Sequence, residues 1–277
     1  MSDSTPAVRS LLDACAALRP ASSKTYLRAL LAQGRVTING RVVKIGKTEV
    51  GARDQVQIID APPKAKPQEP FEIVHHDEDL LVINKPIGLL TSTVPREKRP
   101  TALALARDYI ARVQPAAVIG LVHRLDRDAS GLLVFSLNQP ALASLKEQFY
   151  YHKAGRKYAA VVKGKVNPPA DTISSRLVEY ADGTVHRTTH KGRGDDAITH
   201  YETAQRNKDH TLLHVTLETG RKHQIRAHLA QRGHPIYGDS LYNGPPAERL
   251  MLHALELRLK HPRTGGSLTF TTNLPEA

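Results

Sequence analysis

Apolar residues near the start of the chain recur three or four positions apart, which is the spacing of one helix face. Between residues 8 and 18 this spacing predicts a first helix, and Pro20 ends it because proline cannot continue a helix. Ser22 or Ser23 can cap a second helix, which Gly34 ends. The pattern therefore predicts two consecutive helices.

Short apolar segments typical of strands follow these helices. Residues 36–38 and 42–43 flank an Asn-Gly pair, which favours the tight turn of a β-hairpin because both residues tolerate positive φ. Residues 56–58 predict a closing strand. Residues 1–61 are therefore predicted to form a small α+β domain of two helices and a small sheet.

The pattern changes after the last of these strands. Residues 61–70 contain four prolines and no apolar periodicity, so residues 62–70 are predicted to form an extended linker. Residues 71–277 alternate short apolar segments with polar turns, and their strands outnumber their helices. This domain is predicted to be α+β, with a mixed, largely antiparallel sheet. Its clearest strands are predicted at 80–83, 119–122, 132–135, 158–162 and 212–217, and its helices near 101–113, 140–151 and 222–232.

Composition narrows the class of protein. Hydrophobic residues make up 40% and charged residues 24% of the 277 residues, which suits a globular chain able to bury a core. No apolar segment approaches the roughly 18 residues of a membrane span, and the N-terminus lacks a signal-peptide pattern. The single cysteine, Cys15, excludes internal disulfides and cysteine-rich zinc sites. We therefore expect a cytoplasmic protein that does not enter a membrane.

The charge of the chain indicates a polyanionic partner. The formal net charge is +12, and such an excess of Lys and Arg favours binding to the phosphates of a nucleic acid. Aromatic residues are only 5% of the chain, which argues against a broad base-stacking surface. Nucleic acid is therefore the expected class of partner.

Four basic residues stand out in the N-terminal domain. Lys24 and Arg28 are four positions apart on one face of the second predicted helix, and Arg35 and Arg41 lie around the predicted hairpin. The segment that contains them, SSKTYLRALLAQGRVTINGRVV, resembles the S4 RNA-binding domain. The resemblance implies that these residues contact structured RNA, mostly through its phosphates.

The segment with the densest chemistry is HRLDRDASG, at residues 123–131. It lies between two predicted strands, so it is predicted to be a loop at a strand end, where catalytic groups are common. Asp126 has one arginine two positions before it and another directly after it. A nearby cation keeps a carboxylate ionised, as a nucleophile or base requires, and the same spacing also suits a structural salt bridge.

The same segment resembles a known catalytic signature. HRLDRDASGLLVFS, at residues 123–136, is similar to the signature of the RluA family of RNA pseudouridine synthases. Other sequence blocks of that family occur in the expected order, at residues 79–91, 156–164, 219–242 and 250–262. An S4 domain before the catalytic domain is common in this family. The resemblance therefore implies the pseudouridine synthase fold and an enzyme that converts uridine to pseudouridine in RNA.

The resemblance implies a role for individual residues. Asp126 is the implied catalytic aspartate, and Tyr158 is the implied active-site tyrosine. Strand alternation places Tyr158 on one face with Ala160 and Val162, facing inward. Arg226 is the implied partner of the aspartate. It lies at the edge of a predicted apolar helix face, from which its guanidinium could hold a carboxylate through two hydrogen bonds. Arg124 and Arg221 are the implied RNA contacts of this domain: Arg124 helps to displace the base or contacts a phosphate, and Arg221 is also the less favoured candidate for the partner of the aspartate.

The resemblance also implies the substrate and the reaction. The substrate is structured RNA, with large-subunit ribosomal RNA favoured and transfer RNA as the alternative, and the enzyme is expected to be a monomer. No cofactor or metal is expected, because the reaction involves no redox change and no net hydrolysis. The aspartate either attacks the anomeric carbon of the ribose or removes its 2′ proton. Ala129 stands where the family commonly has threonine, which is expected to alter hydrogen bonding in the loop.

Three other classes of protein compete with this interpretation. A metal hydrolase would need paired ligands, but His223 and His228 are five positions apart rather than four. A glycoside hydrolase would need two carboxylates that converge on one bond, for which Asp126 and Asp128 are the candidates. A non-catalytic RNA-binding or ribosome assembly factor would retain the fold without the reaction.

Overall fold

A computed structural model describes residues 9–59, 70–93, 98–190 and 192–275. By its internal contacts the chain separates into two compact units, Met1–Gln68 and Glu69–Ala277. Residues 62–69 of the predicted linker lie outside the described residues, as does residue 8 at the start of the first predicted helix. The exact domain boundaries therefore stay a prediction.

The N-terminal unit contains the two predicted helices and the predicted hairpin. Its elements are β1 (Arg9–Ser10), α1 (Leu11–Leu18), α2 (Lys24–Ala32), β2 (Val36–Ile38), β3 (Arg41–Val42), β4 (Glu49–Val50) and β5 (Val56–Ile58). The hairpin β2–β3 turns at Asn39 and Gly40, whose φ angles are 51° and 80°. β5 pairs with the other edge of β2, as its predicted role as the closing strand requires. The short pair β1–β4 was not predicted, and it occupies residues 9 and 10, which were predicted to be helical.

Serine side chains begin both helices of this unit. The Ser10 hydroxyl accepts the backbone N–H of Asp13, and the Ser23 hydroxyl accepts that of Tyr26, each at 3.2 Å. These bonds satisfy N–H groups that have no partner within the helix. The buried core of the unit joins both helices to the strands through Leu11, Ala14, Cys15, Leu27, Leu30, Leu31, Val36 and Val50. The opposite face of α2 is exposed to solvent.

The C-terminal unit contains one large sheet with helices on both faces. Its elements are β6 (Glu72–His76), β7 (Leu80–Lys85), α3 (Ala102–Val113), β8 (Gly120–Leu121), β9 (Ser130–Ser136), α4 (Gln139–Tyr150), β10 (Gly155–Lys163), β11 (Ala170–Glu179), β12 (Val185–Thr188), β13 (Asp195–Arg206), β14 (His210–Leu217), α5 (Gln224–Gln231), a 3₁₀ turn (Ser240–Tyr242), β15 (Leu252–Lys260) and β16 (Ser267–Thr271). None of the helices described is long and apolar enough to cross a membrane.

Eleven of the described strands form this sheet, in the order β12-β11-β13-β14-β10-β15-β9-β7-β6, with β16 on β15 and β8 on β9. Within the described part of the chain, every named pairing in it is antiparallel except β9–β15, which is parallel. The predicted α+β class with a mixed, largely antiparallel sheet is therefore confirmed.

Strand β7 illustrates how the sheet separates two apolar layers. Leu81 and Ile83 belong to the main core, which also contains the buried residues of α3. Leu80 and Val82 belong to a second cluster, which contains Leu145 of α4. This alternation follows from the two-residue period of a strand buried on both faces. The central strands therefore form a rigid support for the loops at their ends.

The parallel pair β9–β15 depends on a glycine. Gly131 pairs with Ala254 and has a φ of 110°, a conformation that side chains rarely permit. A Cβ atom at Gly131 would overlap the backbone of Ala254. Glycine is thus required where the loop before β9 enters the sheet.

Candidate active site

The five site residues predicted in the catalytic domain line a single cavity. Its volume is about 730 Å³, and it is bordered by Asp126, Tyr158, Arg226, Arg124 and Arg221. These residues come from a loop, a strand and the N-terminal end of a helix that are far apart in the sequence. The fold therefore brings together the residues that the resemblance selected one by one.

Asp126 lies in the predicted loop, at residues 122–129 between β8 and β9. Its side chain is 17% exposed, and its Oδ2 accepts a hydrogen bond of 3.2 Å from Nη1 of Arg226. Arg226 is buried on α5 and supplies a counter-charge to the carboxylate. The predicted pairing of these two side chains is thus present in the structure.

The prediction that Arg226 holds Asp126 through two hydrogen bonds is wrong. The two-pronged contact goes to Asp239, whose carboxylate accepts Nε and Nη2 of Arg226 at 2.8 Å each. Burial opposes the charge of Arg226, but the hydrogen bonds and charge of Asp239, followed by Asp126, raise the pKa of the guanidinium. Asp239 is itself fully buried and fixes the orientation of the arginine.

Thr91 holds the backbone directly before Asp126. Its hydroxyl donates to the carbonyl of Leu125 at 2.8 Å and accepts the N–H of the same residue at 3.1 Å. Thr91 is buried, so these two bonds satisfy its hydroxyl where water cannot. The side chain therefore fixes the loop one residue before the carboxylate.

Lys85 holds the backbone directly after Asp126. Its buried ammonium donates to the carbonyls of Arg127, Pro86 and Leu89 at 3.0, 2.8 and 2.8 Å. Burial lowers the pKa of Lys85 to about 8, against the opposing charges of Asp128 and Asp126. Thr91 and Lys85 both belong to the block 79–91, so this block holds the backbone on both sides of Asp126.

The end of the loop is anchored to β15. The hydroxyl of Ser130 forms a 2.8 Å hydrogen bond with Nδ1 of His253. Ala129, the residue in place of the common threonine, is buried among the apolar side chains of the main core. Hydrogen bonding at this point of the loop is therefore supplied by the next residue, Ser130.

Tyr158 lies on the inner face of β10, as its strand pattern predicts. It shares the main core with Ala160 and Val162 and is almost completely buried. Burial raises the pKa of its phenol; Arg156 opposes this shift and Asp126 adds to it. The hydroxyl therefore stays protonated at neutral pH.

A stacked group that the sequence did not reveal forms another wall of the cavity. The ring of His123 stacks on Phe149 with centroids 4.6 Å apart, and the guanidinium of Arg156 lies 5.5 Å from the same phenyl centroid. Burial, followed by the charge of Arg156, lowers the pKa of His123 to about 3. Its Nε2 accepts the N–H of Val134 at 3.2 Å, which requires the neutral ring.

Arg156 is the buried cation of this wall. Its Nη2 donates to the carbonyl of Glu218 at 2.8 Å, and its Nε has no hydrogen-bond partner among the atoms described. A buried arginine at a cavity wall is a strong candidate for substrate binding, because RNA supplies anionic and carbonyl acceptors. The only signal in the sequence is its place in the block 156–164.

The two histidines considered for a metal hydrolase, His223 and His228, do not share a site. His223 forms a 3.1 Å hydrogen bond with the hydroxyl of Tyr242. His228 lies between the hydroxyls of Ser175 and Thr199, each 2.9 Å away, and burial lowers its pKa to about 4. Each ring thus has its own hydrogen-bond partners.

A different group, Asp77, Asp79 and His261, has the spacing of a metal site. Arg263 donates to Asp79 through Nε at 2.8 Å and through Nη2 at 3.0 Å. Oδ1 of Asp77 accepts the backbone N–H groups of Asp79 and Leu80. These contacts describe an ion-pair network that joins the end of β15 to the β6–β7 turn.

The competing glycoside hydrolase also fails on geometry. Asp128 is exposed and is not among the residues that line the cavity. Two carboxylates that act on one glycosidic bond must face the same substrate. Asp126 alone of this pair lies in the cavity wall.

The basic residues of the N-terminal unit differ in exposure. Lys24, Arg28 and Arg41 are exposed, and the first two share the solvent face of α2, as predicted. Arg35 is half-buried, and its Nε donates to the carbonyl of Ile59 at 3.0 Å. Arg35 therefore has a structural contact in addition to any role in RNA binding.

Solved structures share the architecture of the chain. Human RNA pseudouridylate synthase domain containing 4 superposes with a TM-score of 0.64 and 24% identity, over 74% of this chain and 88% of that one. Human RNA pseudouridylate synthase domain containing 1 gives a TM-score of 0.60, also at 24% identity, over 74% of this chain and 84% of that one. The fold is that of the pseudouridine synthases.

The sequence comparison identifies the family. The model described as RNA pseudouridylate synthase matches residues 79–231, and that of the S4 domain matches residues 9–56. Ribosomal large subunit pseudouridine synthase D of Yersinia pestis is 33% identical over 95% of this chain and 86% of its own length. The enzyme of the same name from Escherichia coli K12 is 32% identical over the same shares. The chain belongs to the RNA pseudouridylate synthase family, as an RluA-type enzyme with an S4 domain.

Proposed function

We propose that this RNA pseudouridine synthase modifies uridines in large-subunit ribosomal RNA and that Asp126 is its catalytic carboxylate. The position of Asp126 carries the proposal, because this side chain lies in the cavity wall and contacts a buried arginine. The names of the relatives support the ribosomal substrate. We expect the enzyme to act as a monomer in the cytoplasm, and transfer RNA is the alternative substrate.

The reaction moves one base without adding or removing atoms. The bond from N1 of uracil to C1′ of the ribose breaks, the base turns, and C5 bonds to C1′ as its proton leaves and N1 gains one. In the first step Asp126 either attacks C1′ or removes the 2′ proton. Arg226 contacts only Oδ2, and Oδ1 accepts no hydrogen bond from the other described residues. One oxygen is therefore available to the substrate on either route.

Arg226 stabilises the negative charge that returns to the carboxylate in either route. Because Asp239 holds its guanidinium from the other side, the donor does not need to reorganise during the reaction. Arg124 and Arg221 border the same cavity and are exposed, which suits contacts with RNA phosphates. Lys24, Arg28 and Arg41, and the remaining exposed part of Arg35, supply such contacts in the S4 unit.

Tyr158 acts by stacking on the target uracil. Burial keeps its hydroxyl protonated, so a role as a base at neutral pH is disfavoured, whereas its ring faces the cavity of Asp126. Tyr158→Phe is expected to retain kcat within about tenfold, since stacking needs only the ring. Tyr158→Leu should lower kcat by much more than tenfold, measured on the same RNA. Equal loss in both variants would assign the function to the hydroxyl instead.

Mapping of pseudouridine in ribosomal and transfer RNA tests the proposed function. RNA from cells that lack the protein is compared with RNA from cells complemented by wild type, Asp126→Asn or Asp108→Asn. Asp108 is the control, because it is an exposed aspartate of α3 that does not line the cavity. We expect wild type and Asp108→Asn to restore specific sites in large-subunit RNA, and Asp126→Asn to restore none.

The same experiment separates the enzyme from a non-catalytic assembly factor. If Asp126→Asn restores ribosome assembly and no modified site depends on the protein, the assembly role is correct. Restoration of modification by Asp126→Asn would contradict the assignment of the carboxylate. Loss of sites in transfer RNA alone would move the substrate to that RNA.

A further inference from the structure

Two exposed tyrosines lie at the C-terminal end of α4, on the border of the active-site cavity. Tyr150 is 76% exposed and Tyr151 is 59% exposed, and both line the cavity that contains Asp126. Tyr150 is the most exposed of the large hydrophobic side chains in the described residues. An exposed aromatic ring beside an RNA-modifying site is positioned to contact a nucleobase.

The helix end that carries these tyrosines packs against the loop of Asp126. Phe149 directly precedes Tyr150, and its ring stacks on His123 with centroids 4.6 Å apart and planes 17° from parallel. His123 lies three residues before Asp126 in the same loop. The stack therefore connects the end of α4 to the catalytic loop and holds Tyr150 at a defined place beside the cavity.

The two tyrosine rings have different environments. Their centroids are 5.0 Å apart and their planes meet at 87°, so one ring presents its edge to the other. The ammonium of Lys153 lies 5.3 Å from the centroid of Tyr151 and covers part of that ring. Tyr150 therefore presents the more open ring, supported by Tyr151. Lys153, whose ammonium also lies 3.9 Å from a carboxylate oxygen of Glu147, places a cation beside Tyr151.

A flat ring with a nearby cation suits a nucleotide, which combines a planar base with a phosphate. A uridine that leaves its stack to enter the cavity deprives its neighbour of a stacking partner. We propose that Tyr150 replaces this partner and stacks on the nucleobase adjacent to the target uridine, with Tyr151 as its support and Lys153 near the phosphate. This inference rests on the proposed function, because it assumes that the target uridine enters the cavity of Asp126.

A fluorescent RNA tests the stacking contact. The probe is a stem-loop of large-subunit ribosomal RNA that carries a mapped target uridine, with 2-aminopurine on its 5′ or its 3′ side. Binding is measured with Asp126→Asn, which is not expected to turn the RNA over. We expect quenching by stacking at one of the two positions, and loss of that quenching when Tyr150→Ala is added.

Turnover of the unlabelled stem-loop provides the second readout. Tyr150→Ala is expected to raise KM about tenfold, since a base–aromatic stack contributes this much or more, and to leave kcat within about twofold. Tyr150→Phe should match wild type because it keeps the ring. Tyr180→Ala is the matched control, since Tyr180 is exposed but does not line the cavity, and it should leave KM and quenching unchanged.

The outcomes distinguish the two proposals. The stacking contact is refuted and the proposed function stands if wild type modifies the RNA but Tyr150→Ala changes neither readout. In that case KM stays at the wild-type value and quenching stays at that of Asp126→Asn alone. If Tyr150→Phe is as defective as Tyr150→Ala, the hydroxyl rather than the ring makes the contact, which also refutes it. If wild type neither binds nor modifies the RNA, the proposed function and the inference fall together.

Discussion

Arg226 contacts Asp126 through a single N–H group, at 3.2 Å, although its guanidinium is held rigidly. The rigidity comes from Asp239, which accepts two hydrogen bonds of 2.8 Å from the same guanidinium. One buried cation thus serves two carboxylates with different roles. Asp239 orients the arginine, and the contact with Asp126 uses only Oδ2 of that carboxylate, as the proposed reaction requires.

Replacing Asp239 tests this division of roles. Asp239→Asn leaves the buried guanidinium of Arg226 without its main counter-charge, so we expect the free energy of unfolding to fall by about 3–5 kcal/mol. Urea unfolding measures this change. Asp171→Asn breaks the exposed ion pair with Arg232 and should cost less than about 1 kcal/mol. Equal stability of the two variants would show that Asp239 does not support Arg226.

Thr91 tests whether the backbone beside Asp126 must be held. Thr91→Val keeps the shape of the side chain but removes both hydrogen bonds to Leu125, so we expect a loss of about 1–3 kcal/mol in unfolding free energy. Because the carboxylate is then less well placed, kcat should fall more than KM rises. Thr91→Ser retains the hydroxyl and should recover most of kcat. A Thr91→Val enzyme with the kcat of wild type would contradict this role.

The elements and the site residues were predictable where the signals are local. The cap at Ser23, the Asn-Gly turn and the alternation in β10 each act within a few residues. The cap at Ser10 was not predicted. The roles of Asp126, Tyr158 and Arg226 came from a resemblance, because spacing alone also suits a structural salt bridge. The structure brings these three side chains to one cavity.

The supporting contacts were not predictable, because they join side chains to distant backbone or to distant charges. Lys85 looks like an ordinary strand-end lysine until its ammonium is seen to hold Arg127, 42 positions away. Likewise, nothing in the sequence indicates that Arg226 gives its two-pronged contact to Asp239 rather than to Asp126. Such contacts depend on the packing of the sheet, which only the folded chain specifies.

Lys85 is expected to make the activity sensitive to alkaline pH. Its folded pKa, about 8, lies below its usual 10.5, so the ammonium loses its proton as pH rises through 8 and a neutral amine cannot donate to all three carbonyls. We expect kcat/KM to decline above about pH 8, measured between about pH 6 and pH 9. Lys85→Arg should lose this decline, since guanidinium keeps its proton.

Raising the pH above 8 changes the stability of the fold in the opposite direction to the activity. Between pH 8 and 10.5 the unfolded chain binds more protons at Lys85 than the folded chain does. This group therefore costs the most stability below pH 8, and the cost shrinks as pH rises. Circular dichroism at each pH shows whether the enzyme unfolds. If it unfolds where the activity falls, the fall has a cause other than the deprotonation of Lys85. An unchanged alkaline decline in Lys85→Arg would assign it to a different group.

Salt dependence tests the RNA contacts of the S4 unit. Lys24 and Arg28 are exposed on one face of α2, so each can neutralise a phosphate and release a counterion. The double variant Lys24→Gln, Arg28→Gln should bind a large-subunit ribosomal RNA transcript more weakly, and the slope of log affinity against log salt should decrease by about 1.5. Arg232→Gln is the control, because Asp171 already neutralises that arginine at 2.9 Å. If the double variant keeps the slope of wild type and only its affinity falls, these residues contact the RNA by means other than phosphate neutralisation.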